Sequence, residues 1–273
     1  MDHFNFQSEL PPKVLGTDLD GTLIPLPDAP GNREDLATLS KLLEEYEREL
    51  VFATGRHLDS VLSVIETDGL PKPRWIVCDV GTTICRRTEE GFQRFGPYEE
   101  HLSELVGKID RKAVEAALRP VEGIILQDEP SQGPFKISYF CEDRAVRALA
   151  EEIGIVCETE KLPFNCMPSV DPFTNRGLLD LLPKGVSKAY ALIWLSTHAD
   201  FDPAELVYAG DSGNDHAALV AGFRAIAVGN MDADLAEEMA AEMEEKGMSE
   251  RFYRASARGT SGVLEGCRHH GLV

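Results

Sequence analysis

Along the chain, short apolar runs that end in glycine or acid alternate with stretches whose apolar residues recur every three or four positions. Lys13 to Asp18, Leu50 to Ala53 and Trp75 to Cys78 read as buried strands. Between the first two, Leu36, Leu39, Leu42, Leu43 and Tyr46 fall at helical spacing behind Asn32 and Asp35, which resemble an N-cap pair. Leu58, Val61, Leu62 and Ile65 mark a second helix. This β-α-β-α-β alternation predicts an α/β fold, a doubly wound parallel sheet with helices on both faces.

The texture changes after residue 93. Helices are expected near 99–119 and 143–153, with strands at Gly123 to Gln127, Phe135 to Cys141 and Ile155 to Glu158. Gly96-Pro97 and Leu182-Pro183 look like boundaries. Residues 94–183 therefore read as an inserted α+β domain, with 1–93 and 184–273 forming the core. The alternation resumes with a helix over 186–198, a strand at Leu206 to Ala209, a helix from about 214, the strand Ala225 to Val228 and an acidic helix from Asp234.

Composition narrows the partners. Among 273 residues, 47 Asp and Glu outnumber 27 Lys and Arg, giving a net charge of −20. Nucleic acid and anionic membranes are repelled by such a surface. A 43% hydrophobic, 27% charged composition belongs to soluble globular chains. No apolar run approaches the roughly 18 residues of a membrane-spanning helix. Met1-Asp2-His3-Phe4 lacks the basic start of a signal peptide, so a cytoplasmic location is expected. Six cysteines without a C-x-x-C pair read as reduced thiols.

The chemistry gathers at strand ends. In Asp18-Leu19-Asp20-Gly21-Thr22, the two acids point to the same side of an extended chain and repel unless a cation, a proton or a task holds them there. The alternatives are an acidic turn and a calcium loop, and the latter wants its glycine later. Gly210-Asp211-Ser212-Gly213-Asn214-Asp215 follows another strand and supplies hard oxygen ligands; alone, it also reads as a turn with Asn214 as a cap. Thr54-Gly55-Arg56 offers a hydroxyl and a close backbone after the second strand. Lys188 begins a helix, where a cation opposes the macrodipole and an anion nearby would rationalise it. Neither a P-loop nor a G-x-G-x-x-G motif occurs. His269-His270 are taken as packing or surface residues, since neighbours on a helix diverge by about 100°.

Taken together and in order, Asp18 to Thr22, Thr54-Gly55-Arg56, Lys188 and Gly210 to Asp215 resemble the four motifs of the haloacid dehalogenase superfamily. A finer resemblance, to sucrose-6-phosphate phosphatases, rests on Phe135-Lys136-Ile137-Ser138-Tyr139, on Leu179 to Gly185 and on Gly262 to Gly266 followed by His269. It implies a Rossmann-like core with an inserted α/β cap that chooses the sugar, although the tract Cys166 to Asn175 runs longer than the resemblance predicts.

By this resemblance Asp18 is the nucleophile and Asp20 the general acid and base. Mg2+ would be held by Asp18, the Asp20 carbonyl, Asp211 and Asp215, the last through water or by orienting the others. Thr54, Gly55, Lys188 and Asn214 would bind phosphate, and Arg56 and Lys136 the substrate; a surface lysine is the other reading of Lys136. The implied reaction is hydrolysis of a phosphorylated disaccharide, sucrose 6-phosphate first. Mannosylfructose phosphate, glucosylglycerol phosphate, a sugar phosphomutase and a non-catalytic subunit of a synthase stay as alternatives. The partner is a small sugar phosphate, and the chain is read as a monomer that could associate with a sugar-phosphate synthase.

Overall fold

Strand β1 (Val14–Thr17) shows how one short sequence serves two cores. Val14 faces one apolar cluster and Leu15 the other, both fully buried. The same alternation runs through β2 (Glu49–Ala53) and β3 (Trp75–Cys78): Val51, Ala53, Trp75 and Val77 line one face, Leu50, Phe52, Ile76 and Cys78 the opposite one. Strands buried on both sides are what a parallel sheet between helical layers requires. The computed structural model describes residues 10–107, 110–171 and 174–273. The N-terminal residues weighed as a signal segment, and Pro172 and Phe173 of the Cys166–Asn175 tract, lie outside these.

The remaining strands are β4 (Thr83–Thr88), β5 (Gly91–Arg94), β6 (Ile125–Leu126), β7 (Ile137–Glu142), β8 (Phe164–Val170), β9 (Arg176–Pro183), β10 (Leu206–Gly210), β11 (Arg224–Ala227) and β12 (Phe252–Arg254). Helices are α1 (Gly31–Glu45), α2 (Leu58–Thr67), α3 (Gly96–Val106), α4 (Arg111–Ala117), α5 (Val146–Thr159), α6 (Lys188–Ser196), α7 (His216–Leu219), α8 (Ala233–Glu245) and α9 (Thr260–His269). Eight strands form one sheet in the order β12-β11-β10-β1-β2-β3-β4-β5, parallel except for the β3-β4-β5 meander. Because β1 lies between β10 and β2, strand order reverses at its carboxyl end, the position where open α/β sheets bind ligands.

The second sheet, β6-β7-β9-β8, is antiparallel. Ile137, Tyr139, Cys141, Leu179 and Leu181 pack with Val114, Leu118, Leu149 and Ile153 of the helices. Their alternates Ser138, Asp180, Phe140 and Leu178 turn the other way, the last three onto a cavity above the larger sheet. Residues expected to open the insertion at 94 divide differently: Tyr98 and Leu102 of α3 belong to the larger sheet's core beside Trp75, and the separate cluster begins at Val114.

Several expectations need correction. Ile155 to Glu158 is not a strand but the end of α5, because Ile153 and Cys157 continue the buried stripe begun by Val146 and Leu149. The expected helix over 99–119 is two helices, α3 and α4. Asn32 does not cap α1; its side chain accepts from Leu26 N and donates to Arg258 O and Ser261 Oγ, stitching the N-terminal turn to the start of α9.

Candidate active site

Asp18 leaves β1 with its backbone still paired to β10, its amide donating to Ala209 O at 2.9 Å. The chain then turns through Gly21 at φ 75°, where a Cβ would land on the Asp211 carboxylate. This close approach brings the two acidic segments together. Asp18, Asp211 and Asp215 each present a carboxylate oxygen within 4.8 Å of the others.

Lys188 enters from the first turn of α6, wholly buried. Its Nζ lies 3.0 Å from Asp18 Oδ1 and donates to Asp215 Oδ1 at 2.7 Å. Burial works against the ammonium, but the charges of Asp18 and Asp215 overcome it and hold its pKa above the ordinary lysine value. One ammonium does not balance the site. Asp18 is pushed well above the usual carboxylate range by burial, with Lys188 opposing and Asp215, Asp211 and Asp20 adding to the rise. Asp211 is pushed up to about 7 by burial and by Asp215, against its hydrogen bond from Thr22 Oγ1 at 3.0 Å. Asp18 Oδ1 is buried beside this ammonium and, among the described residues, has no partner in hydrogen-bonding geometry. Clustered hard oxygens with surplus negative charge fit a bound divalent cation.

The acids divide by their partners. Asp215, fully buried, accepts from Lys188, from Tyr208 Oη at 2.6 Å, and through Oδ2 from the amides of Asp211 and Ser212, both at 3.2 Å. With its oxygens so occupied it is built to orient neighbours. Asp20 lines the same cavity as Asp18 but is held by a different cation. Arg56 grips both its oxygens, Nε to Oδ2 at 2.7 Å and Nη2 to Oδ1 at 2.6 Å, and anchors itself on Ser60 Oγ at 2.7 Å. His57 caps α2 by accepting from Ser60 N through Nδ1.

Thr54 is buried, and its Oγ1 accepts from Arg56 N at 3.2 Å. Gly55, Arg56, Asn214, Asp18, Asp20 and Asp211 line one cavity of about 340 Å³, within the range of small-ligand clefts. Asn214 does not cap; its side chain accepts from Ser212 Oγ, while Ser212 and Asp215 form the capping box. Lys136 enters from the second sheet's side and is buried, so it is not a surface lysine.

Some site residues escape sequence patterns. Asn230 donates to Gly21 O at 2.9 Å and lies 3.4 Å from Asp211 Oδ2, holding the two acidic segments from a third one. Ser138 Oγ, buried behind the cavity's roof, donates to Asp180 Oδ1 at 2.5 Å and holds that carboxylate in place. Asp79 pairs with Lys136 at 3.3 Å. Thr22 and Asp180 do lie inside stretches that carry the family resemblance, but nothing in those stretches says which way they point. His269 stacks on Tyr253 with ring centroids 3.9 Å apart, and His270 Nε2 meets Ala225 O at 3.2 Å; both are packing residues. Among the described residues, no helix is long and apolar enough to cross a membrane.

A family model described as sucrose-6F-phosphate phosphohydrolase matches residues 11–271. A mannosylfructose-phosphate phosphatase of Agrobacterium fabrum is 30% identical over 96% of this chain and 98% of its own. A putative HAD-like hydrolase of Nitrosococcus oceani is 28% identical over 94% of this chain and 71% of its own. Among solved structures, the sucrose-phosphatase of Synechocystis, in complex with sucrose and phosphate, shares the fold with a TM-score of 0.79 at 24% identity, covering 96% of this chain and 99% of that one.

Proposed function

The chain belongs to the sucrose-6F-phosphate phosphohydrolase family, within the haloacid dehalogenase-type phosphatases, and from this premise we propose that it hydrolyses a phosphorylated disaccharide, sucrose 6-phosphate first. One observation carries the reading: a buried acid, Asp18, with an oxygen that accepts no hydrogen bond among the described residues, lines a cavity whose roof belongs to a second sheet bearing Asp180. The roof supplies polar groups for a sugar, the floor the acids for a phosphoryl group. A second reading, a fructoside other than sucrose, is favoured by the full-length likeness to the mannosylfructose-phosphate phosphatase.

In this reading Asp18 attacks phosphorus in line, the P–O bond to the sugar breaks, and an aspartyl-phosphate forms. Asp20 gives its proton to the departing sugar oxygen and later takes one from the water that releases phosphate. For that, the Arg56 fork must loosen, since both Asp20 oxygens are engaged. Lys188, held charged between two acids, neutralises the phosphoryl oxygens together with the Thr54 hydroxyl and the Gly55 backbone. Asp18, Asp211 and the Asp20 carbonyl would hold Mg2+, with Asp215 orienting the set. The ion supplies charge that lets an anionic carboxylate meet an anionic phosphate. Six free cysteines suit a reducing compartment such as the cytoplasm.

The test is phosphate release from a panel of sugar phosphates, with and without magnesium. Release from disaccharide phosphates only when magnesium is present is the expected result. Release confined to monosaccharide phosphates, or undiminished in excess chelator, would overturn the reading.

A further inference from the structure

The loop after β3 is strained where the reaction above makes no demand on it. Asp79 and Val80 hold φ of 53° and 57°, a region that few non-glycine residues enter and β-branched ones hardly at all. Its surroundings hold it in that shape. The Asp79 and Val80 amides donate to the carbonyls of Arg56 and Thr54, each at 3.0 Å. Tyr98 Oη donates to Gly81 O at 2.6 Å, and a Cβ at Gly81 would collide with the Ser187 carbonyl. The loop is thus wedged between the 54–56 turn and the start of α6. Strain that its surroundings over-determine points to a functional constraint.

What reaches into this loop is Lys136, from the short Gly133–Lys136 turn ahead of β7. Its Nζ lies 3.3 Å from Asp79 Oδ1 and donates to Gly55 O at 3.3 Å. The two side chains are 4% and 5% exposed, and among the described residues Asp79 Oδ1 accepts no conventional hydrogen bond. Among the described residues, Lys136 is the cation that pairs with Asp79. A carboxylate buried this far is costly unless paired, so the larger sheet presents a socket that the second sheet's lysine fills. Lys136 also lines the cavity with Asp180 and Phe140 of the roof.

We propose that Asp79 is a positioning residue: it seats Lys136, and with it the turn leading into the roof strand β7, against the floor of the cavity. The proposal rests on the phosphatase reading of the site. Asp79 touches no reacting atom, and its influence is confined to substrates large enough to meet the roof. It acts on the sugar half of the substrate through Lys136.

Asp79→Asn keeps shape and removes charge. With a disaccharide phosphate, kcat/KM of this variant should fall at least tenfold, chiefly through KM; with p-nitrophenyl phosphate, whose leaving group is small, it should stay within threefold. The double variant with Lys136→Met should be no worse than Lys136→Met alone. Additive losses, equal losses on both esters, or an unchanged Asp79→Asn would each overturn the proposal. If Asp79→Asn does not fold, Lys136→Met carries the test: exchange of the Gly133 amide, which donates to Lys136 O at 3.0 Å, should quicken at least fivefold, and unchanged exchange overturns it. A wild-type protein that releases phosphate from neither ester overturns the phosphatase reading and the proposal with it. An active wild type with additive losses overturns the proposal alone.

Discussion

Asp18 and Asp215 are both buried acids beside one lysine, yet their surroundings ask opposite things of them. Asp215 is surrounded by donors, whereas Asp18 Oδ1, 3.0 Å from the Lys188 ammonium, has no hydrogen-bond partner among the described residues. Burial and three neighbouring acids disfavour the charged form of Asp18. Replacing it with asparagine therefore removes the proposed nucleophile and a repulsion at once. Asp18→Asn should lower turnover by roughly 10³-fold or more, while thermal unfolding shifts upward by about 2–4 °C, the equivalent of about 1 kcal/mol. Turnover near the wild-type rate would sink the nucleophile assignment, and a lowered midpoint would sink the electrostatic argument. At this scale Asp18, Asp211 and Asp215 were legible from their places at strand ends, whereas the alternation expected to set Asp20 beside Asp18 is broken by the turn that follows Asp18, and Arg56 takes Asp20 instead. Tyr208 and Asn230 were not, because only the fold brings them within reach of those acids, and neither was Asp79, which only the fold brings to Lys136.

Elements whose apolar residues run on without a break or recur at helical spacing were legible, and elements whose burial is set by a distant partner were not. The core strands β1, β2, β3 and β10 read directly as apolar runs. Strand β8 mixes Asn165, Cys166, Met167, Pro168 and Ser169 and pairs with β9 along its whole length, a partnership that no local pattern announces. The turn after β1 shows how an element end can decide chemistry. Gly21 turns at φ 75° with the Asp211 carboxylate against its Cα, so any side chain must push that acid aside. Gly21→Ala carries about 1–2 kcal/mol of backbone strain plus this displacement. Its magnesium affinity, measured by titration calorimetry, should weaken at least tenfold while the circular dichroism stays that of the wild type. Unchanged affinity would mean that Asp211 is not held where the site needs it.

Across the whole molecule, the acid excess gives the protein a net charge of −20, yet its far edge carries a small basic corner. Arg224, Arg251 and His270 approach one another near β11 and β12. The His270 ring is partly buried, and its Nε2 must carry the proton to donate to Ala225 O. Burial pushes its pKa down to about 4; His269, Arg224 and Arg251 push the same way against that hydrogen bond. In the unfolded chain the same ring titrates near about 6.5. Between these two values the unfolded chain takes up a proton that the folded one refuses, so stability falls as pH drops from about 6.5 towards 4 and is unaffected by this group above that window. The thermal midpoint of the wild type should therefore fall more steeply between pH 7 and pH 4.5 than that of His270→Gln, which keeps a donor but cannot take up the proton. Equal slopes would show that His270 is not the group whose burial the fold sustains, whatever the acids contribute to both proteins alike.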